Sequence, residues 1–149
     1  MKIVLLALVA TVLACGSAWA SENSAAMDAV NKWVDGFNKG DFKAMVATCA
    51  DDAVVIDDIP PHVWQSCAKW LNAYQAFSAK QTLIDANVTL GKRKHFDVES
   101  GYAYLVVPVT FTYSKAGKPI KTTAVVTMSL HKGSSGWLIT GWAWADQQS

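Results

Sequence analysis

Charge bias, metal-ligand spacing and linker sequence are nearly absent from this chain, and each absence removes a class of function. Its 13 Lys and Arg face 12 Asp and Glu, a formal charge of +1 over 149 residues. Nucleic acid and anionic membrane both require a surplus of basic side chains, so neither is expected as a partner. Three histidines, His62, His95 and His131, are scattered, and the three cysteines contain no CxxC pair. No metal site and no cofactor are therefore expected. There is no internal repeat, no charge block and no linker rich in Pro or Ser, which leaves one domain. What the chain has in abundance is aromatic: seven Trp, five Phe and four Tyr, enough to fill a core, a pocket and an interface.

Long hydrophobic runs are also missing, except at the start. Met1-Lys2 precedes an apolar stretch from Ile3 to Ala14 broken only by Thr11, and Ala18-Trp19-Ala20 supplies the small-x-small pattern of a signal-peptidase site. A membrane span needs roughly 20 apolar residues, more than this run contains. Residues 1–20 read as a signal peptide and 21–149 as a single domain, destined for the periplasm or the exterior. Cys15 follows Val12-Leu13-Ala14, a poor lipoprotein site, and is expected to leave with the leader. Losing Lys2 brings the mature chain to neutrality, 12 basic against 12 acidic residues. Cys49 and Cys67 survive, and an even count in an oxidising compartment favours a disulfide between them over two buried thiols.

Along the mature chain, Met27, Val30, Trp33, Val34 and Phe37 recur at spacings of three and four, predicting an amphipathic helix over 24–38. Gly40 suits the left-handed position after a helix end. Asp41 then caps a short helix to about Thr48. Ala53 to Asp57 reads as a strand, ended by Asp58-Ile59-Pro60-Pro61. A third helix is predicted from about Val63 to Lys80, with Trp64, Cys67, Trp70, Leu71, Tyr74 and Phe77 on one side. Residues 82–96, 102–113, 119–131 and 137–145 read as four strands separated by hairpin turns. In 102–113 both alternating faces are apolar, with Leu105 and Val107 on one and Tyr104 and Val106 on the other. A sheet apolar on both faces needs two covers, so a homodimer through the outer sheet face is expected.

This order of elements, together with the stretch Gly40-Asp41-Phe42-Lys43-Ala44-Met45-Val46-Ala47-Thr48-Cys49-Ala50-Asp51-Asp52-Ala53-Val54-Val55-Ile56-Asp57, resembles the NTF2-like superfamily, the SnoaL-like and ketosteroid-isomerase-shaped cone fold. The Gly117-Lys118-Pro119 turn, the strand reaching Thr127-Met128 and the closing Trp137-Leu138-Ile139 are similar as well. The resemblance implies an α+β fold, with three N-terminal helices packed in the concave face of a strongly curved, mostly antiparallel sheet. It implies no single activity, because the scaffold hosts isomerases, cyclases, dehydratases and non-enzymatic binders.

Asp57 falls where the resemblance implies the catalytic aspartate base of ketosteroid isomerases, at the mouth of the cone. Burial among aromatics would raise its pKa and suit it to shuttle a proton; the alternative is a cap on the Asp58-Ile59-Pro60-Pro61 turn. Asp51 and Asp52 are expected at a helix-to-strand turn, with a structural role. Trp33 and Val126 match the positions of that family's two oxyanion donors. Val126 has no donor and the Trp33 N–H points differently; each lost donor costs about 3 kcal/mol of transition-state binding, so steroid isomerisation is not expected. His62 is a weaker candidate acid or base at the mouth. Phe37, Trp70, Tyr74, Phe111 and Tyr113, with Trp33 and Val126, are expected to line the cone. Trp142 and Trp144 share a face opposite Ile139 and are assigned to the dimer interface, unless a bulge near Gly141 turns one inward.

Three functions fit. The first is a module that binds a small apolar or aromatic ligand. The second is a SnoaL-like isomerase, cyclase or dehydratase using Asp57 as general base. The third is a structural or protein-interaction dimer whose cone is filled by its own side chains.

Overall fold

A computed structural model describes residues 10–147, with side chains from Ala20 onward. Residues 1–9 of the leader read from the sequence lie outside the described residues. The backbone from Ala10 is helical and continuous with the amphipathic segment, so helix α1 spans Ala10–Lys39 rather than starting near residue 24. No proline interrupts this segment to stop it. Among the described residues no helix is long and apolar enough to cross a membrane. The α1 stripe is buried as expected at Val30, Trp33, Val34 and Phe37, with Ala26 and Ala29 beside it.

Gly40 takes a left-handed conformation after α1, and the Asp41 carboxylate accepts from the Ala44 N–H (3.0 Å) to start α2, Phe42–Val46. Gly36 has no room for a side chain: a Cβ there would meet the Met45 backbone nitrogen at 2.8 Å. The turn between α1 and α2 is closed by that approach.

Strand β1 runs Cys49–Ile56, four residues earlier than the periodicity indicates. A register irregularity between Cys49 and Val54, where β1 pairs in parallel with the last strand, turns Asp51 and Asp52 outward. They are exposed strand residues, not turn residues. The predicted third helix also shortens. Val63–Trp64 forms a two-residue strand, β2, folded back on β1 after the cis Pro60-Pro61 bond, and α3 spans Cys67–Gln81. Ser66 caps α3 by accepting from the Lys69 N–H. A disulfide joins Cys49 and Cys67, the first residues of β1 and α3, and so links a strand to a helix.

The first of the four anticipated strands divides into β3, Leu83–Leu90, and β4, His95–Glu99, which pair with successive parts of one strand, β5 (Tyr102–Lys115). Between them Gly91 donates to the Pro108 carbonyl (2.8 Å) and sits too close to it for an easy Cβ. Strands β6, Lys118–Gly133, and β7, Gly136–Asp146, complete a seven-stranded sheet ordered β2-β1-β7-β6-β5-β3, with β4 sharing the β5 edge. Every pairing is antiparallel except β1 with β7. Ser100-Gly101 and Ala116-Gly117 take positive φ at consecutive positions, the geometry of two-residue hairpin turns whose twist matches the sheet.

Helices α1 and α3 cover the concave face, which buries Ala103, Leu105, Val107 and Val109 from β5 and Ala124, Val126, Met128 and Leu130 from β6. The convex face is open: Tyr102 is 62% exposed and Tyr104 48%, stacked or tilted against His131 and His95. Asn38, near the end of α1, accepts from the Val88 N–H (2.7 Å) and donates to its carbonyl (2.8 Å). That two-way clamp fixes the helix to β3.

Candidate functional site

A cavity of about 190 Å³ remains between the helices and the open end of the cone. Helical spacing builds one wall: Trp33 and Phe37 are one turn apart on α1, and Trp70, Tyr74 and Phe77 follow one another on α3. Alternation builds another, since Phe111 and Tyr113 are successive inward residues of β5. The rings interlock, with Trp70 and Trp142 centred 4.7 Å apart at 85° and Trp33 and Trp142 5.4 Å apart at 66°. Such edge-to-face pairs fix ring positions more closely than aliphatic packing does.

Trp142 and Trp144 therefore belong to the pocket and not to an outer interface. Trp142 is only 4% exposed and both line the cavity. The reason is the register shift in the β6–β7 pairing: Leu130 pairs with Ile139, but Ser129 pairs with Gly141. The extra residue puts Ile139 on the same face as Trp142 and Trp144, reversing simple parity. Gly141 permits it, because a Cβ there would meet the Val54 carbonyl oxygen at 2.9 Å.

Val126 is the second correction. It is buried on the concave face but does not line the cavity; Trp144, its cross-strand partner, supplies the wall there. His62 is the third. It is exposed, with positive φ, and its Nδ1 lies 3.1 Å from the Asp57 carbonyl oxygen, outside the cavity lining. The backbone explains this: Asp57 N–H donates to the His62 carbonyl and His62 N–H to the Ile59 carbonyl, a tight loop that turns the imidazole away.

Asp57 itself lines the cavity and is 8% exposed. Its Oδ1 accepts from the Ile59 N–H (2.9 Å), so the turn-capping and pocket roles coexist in one side chain. Burial pushes its carboxyl up to about 6 from an ordinary 3.8. The Ile59 bond opposes the rise, the neighbouring Asp58 carboxyl adds to it, and the Trp70 indole N–H pulls weakly downward from beside the carboxylate, without closing a full hydrogen bond. Burial also holds the Tyr74 phenol above its ordinary value, with the Asp57 charge contributing. The indole nitrogens of Trp33, Trp70 and Trp142 are buried and unbonded, so the cavity meets their ring carbons rather than their N–H groups.

Several lining residues carried no sequence signal as site residues. Asp58, Gln81, Lys115 and Asp146 come from four separate segments and meet only at the mouth. Lys115 donates to Gln81 (2.9 Å), and Asp146 accepts from the Trp144 indole (2.7 Å). Phe77 had a signal, its place on the α3 stripe one turn after Tyr74. Among the described residues, no group of three or more His, Cys, Asp or Glu side chains is placed to hold a metal ion.

With this geometry in view, comparison with known proteins places the chain. A model of the SnoaL-like domain matches residues 30–134, well over half the sequence. No curated protein matches. Among solved structures, an NTF2-like protein with a cystatin-like fold from Novosphingobium aromaticivorans is similar with a TM-score of 0.76, at 12% identity over 96% of this chain and 94% of that one. An NTF2-like superfamily protein from Salmonella enterica gives 0.75, at 13% identity over 87% and 94%. A ketosteroid isomerase-like protein from Erwinia carotovora gives 0.67, at 18% identity over 86% and 98%. Identities this low carry the fold and not the activity. The chain belongs to the SnoaL-like domain family and has the fold of NTF2-like proteins.

Proposed function

We propose that this is an exported domain that binds one small, predominantly aromatic molecule in its cone, with Asp57 as the polar anchor. The observation that carries the reading is a nine-tenths buried carboxylate set in a largely aromatic wall, facing a cavity that its own side chains do not fill. A few convergent polar groups in an apolar pocket are the usual form of a small-molecule site. Size indicates what the inner part can hold: a closed cavity of about 150 Å³ takes up benzene, so this one of about 190 Å³, open at its mouth, has room for a single ring with a short substituent. Export rests on the leader at residues 1–20. Native mass spectrometry of protein purified from its own host is expected to show a bound small molecule; reproducibly empty protein that also takes up no one-ring probe would overturn the reading.

One observation favours a second reading, proton transfer. An acid poised near 6 can accept and return a proton at neutral pH, as a general base beside a carbonyl must. Among the solved structures similar in fold is the isomerase-like protein from Erwinia carotovora, and another bears the description putative aromatic ring hydroxylase. The test is deuterium exchange at the α-carbon of phenylacetone in D2O, followed by NMR. Exchange that wild type accelerates and Asp57→Asn does not would establish it, and no acceleration by wild type would dismiss it for this substrate class.

The assembly we propose is a homodimer through the convex face, where Tyr102 and Tyr104 stand exposed beside half-buried Val106 and Pro108. Sedimentation velocity checks it: wild type is expected at twice the monomer mass and Tyr104→Lys at the monomer mass.

A further inference from the structure

Asp57 is a buried anion with no counter-charge. The ion pairs among the described residues are Lys39 with Asp35 and Lys132 with Glu22, all remote from the cavity lining. Its protein support is one backbone N–H, from Ile59, and the weaker pull of the Trp70 indole N–H beside it. An isolated carboxylate in apolar surroundings is costly, and proteins retain one only where something compensates it. The charged and titratable groups lining the same cavity do not. Asp58 follows it in sequence, Asp146 lies at the end of β7, Tyr74 and Tyr113 are neutral phenols, and the Lys115 ammonium is engaged with Gln81 at the exposed rim. Three carboxylates thus share the cavity with one ammonium, which forms an ion pair with none of them. Much of the rest of the wall is ring surface from Trp33, Trp70, Trp142, Trp144 and Phe37, with the indole nitrogens of Trp33 and Trp142 buried and unbonded. Aromatic surface with negative π-density, backed by carboxylates, is the environment that attracts organic cations.

We propose that the ligand is an organic cation, an amine or quaternary ammonium on or beside a single ring, whose charge sits against Asp57 within the aromatic box. The proposal rests on the binding role given above and assigns its ligand class. An anionic ligand would meet three carboxylates at the mouth and wall. A neutral hydrocarbon would fill the volume and leave Asp57 uncompensated.

Phenyltrimethylammonium and its uncharged carbon isostere tert-butylbenzene have nearly the same shape, and the cation keeps its charge at every pH. Tryptophan fluorescence titrations at pH 7.5 with these two and with benzoate separate charge from shape. The cation is expected to bind at least about tenfold more tightly than the isostere, with benzoate weakest; desolvated cation–π contacts and one buried ion pair account for a factor of that order. Lowering the pH to 4.5 protonates Asp57, which titrates near 6, and is expected to remove most of the cation's advantage without changing the isostere's affinity. Asp57→Asn, which keeps an acceptor for Ile59, is expected to do the same at pH 7.5, with its fold verified by near-UV circular dichroism. Equal or tighter binding of the isostere or of benzoate would overturn the cation assignment and leave the pocket standing. So would a preference that survives both acid and Asp57→Asn. Failure of all three probes to bind would remove the pocket reading and this proposal together. If the variant does not fold, the wild-type comparison of charge and pH still decides.

Discussion

Replacing Asp57 with Asn should make the protein more stable, and the pH dependence of that gain is the sharper prediction. The carboxyl is held near 6 in the folded protein and would titrate near 3.8 when unfolded. Between those values the folded state retains a proton that the unfolded chain has released. Stability from this group is therefore lost as pH rises through the window, with the penalty absent below about pH 4 and complete somewhat above pH 6. At about 1.4 kcal/mol per pH unit the ceiling is about 3 kcal/mol, and solvent at the cavity mouth reduces the expected value to about 1–2 kcal/mol. Asparagine cannot ionise, yet it preserves an oxygen for the Ile59 N–H. Urea denaturation of both proteins from pH 4 to pH 7.5 measures the difference, with the other carboxylates cancelling. The gain of Asp57→Asn should be near zero at pH 4 and reach its full value by pH 7. A constant difference across the range, or a destabilised variant at pH 7, would refute the claim that Asp57 is a strained, desolvated anion. A gain would mean that the native residue sacrifices stability, as binding and catalytic groups commonly do.

Asn38→Ala removes both hydrogen bonds to Val88 and leaves its backbone groups unpaired, at a cost of about 2–3 kcal/mol measured by denaturant midpoint. Thr82 ends α3 in the left-handed region, strained for a β-branched residue, with its exposed hydroxyl bonded only to the Gln81 carbonyl; Thr82→Gly should stabilise by about 0.5–1 kcal/mol in the same assay. Reducing the Cys49–Cys67 disulfide, whose partners are 18 residues apart, should cost about 3 kcal/mol, read as the difference in unfolding midpoint with and without dithiothreitol. Unchanged midpoints in any of these would show that the named contact contributes nothing.

Local chemistry was legible in the sequence wherever it decided structure by itself. The three-and-four spacing of Val30, Trp33, Val34 and Phe37 made a helix and named its buried face, Asp41 marked a cap, and the hairpin turns expected between the strands fall at Ser100-Gly101 and Ala116-Gly117. The resemblance implied that Trp33, Phe37, Trp70, Tyr74, Phe111, Tyr113 and Val126 line the cone, and all but Val126 line the cavity. Periodicity failed where one residue is inserted into a strand. Nothing local distinguishes a regular β7 from one bulged at Gly141, because the bulge is fixed by pairing with β6 and by the close approach of Val54.

What the sequence by itself determined is therefore the family, the class of fold and the rings of the pocket wall, since each depends on short-range pattern. Only the tertiary structure decided that Trp142 and Trp144 turn inward, that His62 turns away, and that Asp57, Asp58 and Asp146 share one aromatic mouth with Lys115 and form no ion pair with it. Charge balance in a cavity is a sum over segments distant in sequence. It takes a value only once the sheet has curved and brought them together.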